Sequence, residues 1–148
     1  MAKTRQVGIT PELSVKCVAA QSIPANGAIT KRTFDTVTID TKGWWASNKY
    51  TPLEAGNYLV SYFDGMLNSS GGANYFSIYV YKNGSAIAQA RTVFVANGYD
   101  NTITIPPLLI PMNGTTDYLE FYIAQTHTSA MNTSTFVSNI VTITKAID

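Results

Sequence analysis

One run of residues leaves this chain few ways to fold. From Gly56 to Leu67 it reads Gly-Asn-Tyr-Leu-Val-Ser-Tyr-Phe-Asp-Gly-Met-Leu. Successive side chains of a strand point to opposite faces. Tyr58, Val60 and Tyr62 therefore share one face, and Leu59, Phe63 and Leu67 the other. Both faces are apolar or aromatic, which predicts a central strand covered on both sides. Pro52 and Gly56 bracket the turn that precedes it: proline presets φ, and glycine accepts backbone angles closed to other residues.

The rest of the body repeats this grammar. No ten-residue window has clean 3.6 spacing, and β-branched and aromatic residues abound. Phe34 to Ile39 alternates. Tyr75 to Lys82 sets Phe76, Ile78 and Val80 against Tyr75, Tyr79 and Tyr81. Asn83-Gly84 is the strongest hairpin signal in the chain, and Ser85 to Val95 returns from it. Thr102 to Ile110 contains Pro106-Pro107, which marks an edge or a bulge. Asp117 to Gln125 turns Leu119, Phe121 and Ile123 inward and Tyr118 and Tyr122 outward. Ser134 to Lys145 closes the domain. Turns every eight to twelve residues predict an all-β antiparallel sandwich or barrel. Alternate connections then lie at the same end. The loops 68–74, 96–101 and 126–133 share one end, and the tighter turns at Asn83-Gly84 and 111–116 share the other. The loop end is the presenting end.

Residues 1–33 read differently. Gly8, Pro11, Pro24 and Gly27 punctuate them, and only Leu13, Val15 and Cys17 alternate. The stretch lacks apolar mass for a core of its own. Met1 to Arg32 carries five cations against Glu12, while the remainder carries five cations and eight carboxylates. The expectation is an extended basic anchoring arm, with Lys3, Arg5, Val7, Ile9, Leu13 and Val15 as its docking residues, and a body over 34–148. Such an arm suits an acidic partner surface.

Composition narrows function. Of the 148 residues, 13% are charged, well below the roughly 25% of soluble domains. Ser, Thr, Asn and Gly must then supply the polar surface, as in a protein that lives within an assembly. No basic run with interleaved aromatics appears, so nucleic-acid readout is not expected. No apolar run approaches the roughly 18 residues of a membrane span, and the first fifteen residues show no secretory apolar core. The single Cys17 allows no intrachain disulfide. His127 is the only histidine, so neither a histidine triad nor a zinc cluster can be built. Asp35, Asp40, Asp64 and Asp100 lack calcium-loop spacing; Asp100 is the one candidate for a cation at the loop end. Asp64 and Glu120 fall mid-strand without a visible partner for acid–base work. Trp44-Trp45 reads as core plus interface before sugar stacking. The sequence predicts no enzyme, no metal and no cofactor.

Several pieces together resemble a known family. They are Phe34…Val37…Asp40…Gly43-Trp44, Tyr50-Thr51-Pro52, Gly56-Asn57-Tyr58, Lys82-Asn83-Gly84 and Ser134-Thr135-Phe136. They resemble the globular head of complement first-component q and the tumour necrosis factor (TNF) superfamily, over about Phe34 to Asp148. Gly114-Thr115-Thr116-Asp117 and Val137-Ser138-Asn139 depart from the family pattern and set this chain apart from animal members. The resemblance implies a jelly roll that trimerises about a threefold axis. Small relatives without export signals are similar to virion proteins of tailed bacteriophages.

The expected reading is a homotrimer whose interface is built by Tyr58, Tyr62, Tyr79, Tyr118 and Tyr122, since tyrosine buries a ring while its hydroxyl finds a partner. The expected role is a phage capsid decoration or cement protein on the virion surface, held by its arm to the major capsid protein or another virion protein. The competing role is receptor binding at a fibre tip, with Asn97, Tyr99, Asp100, His127 and Met131 contacting host glycan or protein. A soluble lectin-like or signalling ligand is a third class, which the missing export signal disfavours.

Overall fold

A computed structural model describes residues 11–67, 74–94, 99–135 and 139–146. Those residues form thirteen strands and no helix. They are β1 (Leu13–Cys17), β2 (Ser22–Ile23), β3 (Thr30–Lys31), β4 (Thr36–Asp40), β5 (Trp45–Ala46), β6 (Lys49–Tyr50), β7 (Ala55–Leu67), β8 (Tyr75–Lys82), β9 (Ser85–Val93), β10 (Asp100–Asn113), β11 (Leu119–Gln125), β12 (Met131–Asn132) and β13 (Asn139–Lys145).

Two antiparallel sheets face each other. One runs β10-β7-β13-β1-β4, and the other β5-β6-β11-β8-β9 with β3 also paired to β11. A short β12-β2 pair lies beside them. As expected, β7 is internal, flanked by β10 and β13. Its inward residues Tyr58, Val60 and Tyr62 meet Ile78, Val80, Leu119 and Phe121 of the other sheet in a common core. Edge-to-face aromatic contacts give that core its geometry: the Phe121 and Tyr62 centroids are 5.3 Å apart, and Phe34 and Phe121 6.1 Å.

Local chemistry explains the turns. Asn83 (φ 52°) and Gly84 (φ 79°) supply the two left-handed residues of a tight hairpin between β8 and β9. Gly114 (φ 72°) is tighter still, because a Cβ there would stand 2.2 Å from the Ala55 nitrogen. In β10 the register slips between Ile105 and Leu108, where Pro106-Pro107 cannot donate to the ladder. β10 is accordingly an edge strand.

The structure corrects the boundary of the arm. β1 is inserted between β13 and β4, with Leu13 opposite Ile143 and Val15 opposite Val141. Leu13 and Val15 are fully buried, as are Ile23 and Arg32. Residues 12–33 are therefore part of the sandwich. Their few apolar side chains complete the shared core rather than building a separate one. Lys3, Arg5, Val7 and Ile9 lie outside the described residues.

Candidate interaction surfaces

Sequence reasoning left Asp64 without a partner. The fold brings Arg32 to it across 32 positions. Arg32 Nε donates to Asp64 Oδ2 at 2.8 Å, and Nη2 to Oδ1 at 3.4 Å. The Tyr62 hydroxyl donates to the same carboxylate at 2.7 Å, and the Gly65 N–H at 2.9 Å. Arg32 Nη1 spends its remaining donors on Gln21 Oε1 (2.8 Å) and Cys17 Sγ (3.4 Å). Burial works against the guanidinium charge, but Asp64, Tyr62 and Cys17 together outweigh it and raise the Arg32 pKa. Burial also pushes the Cys17 thiol up, which keeps it protonated and unreactive. With both charges paired and wholly shielded from water, this cluster is a structural tie between the strands rather than a reactive site.

The strand ends that carry the three loops come together as expected; residues 68–73 and 95–98 lie outside the described residues. The Phe94 N–H donates to the Asn74 carbonyl (2.9 Å), the Thr126 N–H to that of Tyr75 (3.0 Å), and Asp100 pairs with Leu67. Gln125 is fully buried and braces this end: its Nε2 donates to the carbonyls of Pro24 and Ser129, and its Oε1 accepts the His127 N–H. Of the expected recognition residues, Tyr99 is 68% exposed. His127 is half-buried, its Nδ1 accepting the Ser129 N–H at 3.0 Å. Met131 is a correction: it pairs with Ile23 and is buried, because β12 closes over the core instead of projecting. Asn97 lies outside the described residues. Asp100 Oδ1 is buried without a hydrogen-bond partner among the described residues. No group of three potential metal ligands occurs among those residues.

The tyrosines divide into two sets. Tyr58 and Tyr62 are fully buried in the monomer, so neither can form a subunit interface. Their hydroxyls are satisfied internally, Tyr58 by the Glu54 carbonyl at 2.8 Å and Tyr62 by Asp64. Burial, with the Glu12 and Glu54 charges, pushes the Tyr58 pKa up to about 12. Tyr79, Tyr118 and Tyr122 lie half-buried on the outer face of the β5-β6-β11-β8-β9 sheet, as the alternation predicts.

The expectation that β7 is covered on both faces is met on one face only. On the outer face of the β10-β7-β13-β1-β4 sheet, Leu59 lies opposite Leu109, and Phe63 opposite Ile140. Leu59 is 40% exposed and Leu109 53%; Phe63 and Ile140 are half-buried. This is the second apolar face of β7, left uncovered in the single chain. Beside it a groove of about 290 Å³ runs between the edge strands β9 and β10, lined by Lys82, Ile87 and residues 108–111.

No protein-family model and no curated protein matches this sequence. Solved structures do match the fold. Eiger TNF from S. frugiperda is 11% identical, with a TM-score of 0.57 over 90% of this chain and 94% of that one. Murine APRIL is also 11% identical, with a TM-score of 0.60 over 90% and 99%. A chain of the T13 IBDV viral particle is 14% identical, with a TM-score of 0.52 over 91% of this chain and 31% of that one. The fold is an all-β, TNF-like jelly-roll sandwich. The same sandwich occurs as part of a viral-particle chain about three times as long.

Proposed function

We propose that this chain is a homotrimeric, non-enzymatic structural protein of a virus particle, acting as a phage capsid decoration or cement protein. The observation that carries the reading is the open apolar face of the β10-β7-β13-β1-β4 sheet. Leu59 and Leu109 form one apolar pair on it and Phe63 and Ile140 another, with the Ser61–Thr142 hydroxyl pair between them on the same face. Exposed patches of this kind mark association sites. The Phe63–Ile140 end of this face and the β9–β10 groove are different surfaces on one molecule, while Leu109 belongs to both the face and the groove. Contact of one copy's face with the next copy's groove is heterologous, and it closes into a ring when the rotation between copies is a third of a turn. This interface replaces the tyrosine interface expected from the sequence. The likeness to a viral-particle chain supports the virion role.

Residues 1–10 remain the candidate anchor. Their cations and the Val7 and Ile9 alternation suit strand addition to a neighbouring virion protein with an acidic surface. Tyr99, exposed at the braced loop end, supports the second reading, a receptor-binding tip. Sedimentation equilibrium tests the assembly: three chains are expected, and a stable monomer at micromolar concentration overturns it. Electron microscopy of the particle distinguishes shell from fibre tip.

A further inference from the structure

The assembly reading leaves one broad surface unused, the outer face of the β5-β6-β11-β8-β9 sheet. Tyr122 lies opposite Tyr79 across the β11–β8 pairing, and the Tyr81 and Tyr122 rings meet diagonally with centroids 4.3 Å apart and planes tilted by 40°. Tyr79 continues the row, 6.3 Å from Tyr81. Polar neighbours hold the rings in place. The Tyr122 hydroxyl donates to Glu120 Oε2 at 3.2 Å, and Gln89 Nε2 donates to the Tyr79 hydroxyl at 3.3 Å. These bonds are long for their type, so the hydroxyls keep capacity for an incoming partner.

Cations frame the rings. Lys49 Nζ sits 4.6 Å from the Tyr118 centroid at one side, and the Arg91 guanidinium 5.2 Å from that of Tyr75 at the other. Neither forms an ion pair among the described residues. Lys31, opposite Tyr122, is held by Glu120 at 2.7 Å. Three cations thus face one carboxylate on this surface.

We infer that this face is a docking plate for an acidic glycan, a polymer of carboxylate-bearing sugars. Such a chain presents flat C–H faces that cover tyrosine rings, hydroxyls that reach Gln89 and the phenols, and carboxylates that Arg91 and Lys49 attract. The chemistry fits a peptide less well. Peptides add along a free sheet edge, lay a helix or proline-rich segment into a groove, or set acidic groups on a cluster of arginines, whereas this plate is an open sheet face with the single arginine Arg91. The groove of this molecule lies instead between β9 and β10. From Tyr75 to Tyr81 the plate runs roughly 20 Å along β8, the length of an oligosaccharide rather than a single sugar. The inference uses no residue of the proposed trimer contact, so the two stand or fall separately.

The test is isothermal titration of the full chain with oligogalacturonate and with hyaluronate oligomers, beside neutral malto-oligosaccharides and polyglutamate. At least one acidic glycan should bind saturably, more weakly as salt rises, and at least tenfold more tightly than the neutral chain. The pair R91Q/K49Q should weaken binding at least tenfold while leaving the circular dichroism spectrum and the sedimentation profile unchanged. Arg91→Gln alone, at an exposed position, should act in the same direction if the pair folds poorly. Failure of both acidic glycans to bind overturns the proposal, as does binding that R91Q leaves unaltered. Equal or tighter binding of polyglutamate also overturns it, and would assign the plate to an acidic protein segment.

Discussion

Arg32 and Asp64 form an ion pair with Nε and Oδ2 2.8 Å apart and both side chains wholly shielded from water. Taking either partner away strands the other charge in the sandwich. Arg32→Met or Asp64→Ala should each cost about 3–5 kcal/mol in urea denaturation. The double replacement R32M/D64L should cost clearly less than the sum of the two. Recovery will be incomplete, because the Tyr62 hydroxyl also relies on Asp64. Additive losses would show that the two charges are not coupled.

The open sheet face should govern assembly. Phe63→Asp and Ile140→Asp place a charge where the neighbouring copy would sit, and sedimentation should show monomers with an unchanged β spectrum. Tyr122→Asp, on the opposite sheet, should leave the trimer intact. The reverse pattern would return the interface to the tyrosines.

Truncation should separate anchor from body. Removing residues 1–10 should leave a folded protein that no longer co-sediments with particles lacking it. Removing residues 1–24 should prevent folding, because Leu13, Val15 and Ile23 belong to the core. Leu13→Ala alone should cost about 2–5 kcal/mol, as for other buried leucines.

Asp35 should set part of the acid stability. Burial acts to raise its pKa, but N–H groups of Ala19 and Val18 and the Thr36 hydroxyl outweigh it and hold the carboxyl at about 2, below its ordinary 3.8. A lowered folded value means stability that is fully present above pH 3.8 and lost as pH falls towards 2. Asp35→Asn should flatten that part of the acid melting profile. Its cost at neutral pH should be about 1 kcal/mol or less, since the carboxylate is well exposed and screened. An unchanged acid profile would mean that the three donors do not matter to stability.

Much of the fold was legible because its signals are local. Alternation sorted Phe76, Ile78 and Val80 from Tyr79 and Tyr81, Asn83-Gly84 marked the hairpin, and Pro106-Pro107 marked the edge of β10. What escaped the sequence depends on distant partners. Two apolar faces on β7 do not say which one is the core, so Tyr58 and Tyr62 were placed outside when they lie within. β1 looked like an arm because its ladder partners sit at the far end of the sequence. Nothing near Arg32 announces that its charge is matched by Asp64. The outer aromatic face, by contrast, follows from period-two spacing alone, which is why Tyr79, Tyr118 and Tyr122 were found on one side.

The position of β1 also dictates when this protein can finish folding. Leu13 pairs with Ile143, about 130 positions away, and β13 bridges β1 to β7. On the ribosome β1 emerges well before β13, the strand that seats it. Until then β7 lacks one neighbour, and an unpaired strand rim and its apolar residues stand open to other nascent chains. Closing such a long loop is entropically slow. Synthesis in a crowded cell should therefore need chaperone cover or low temperature for good yield, and a circular permutant that joins β13 directly to β1 should fold faster than the natural order.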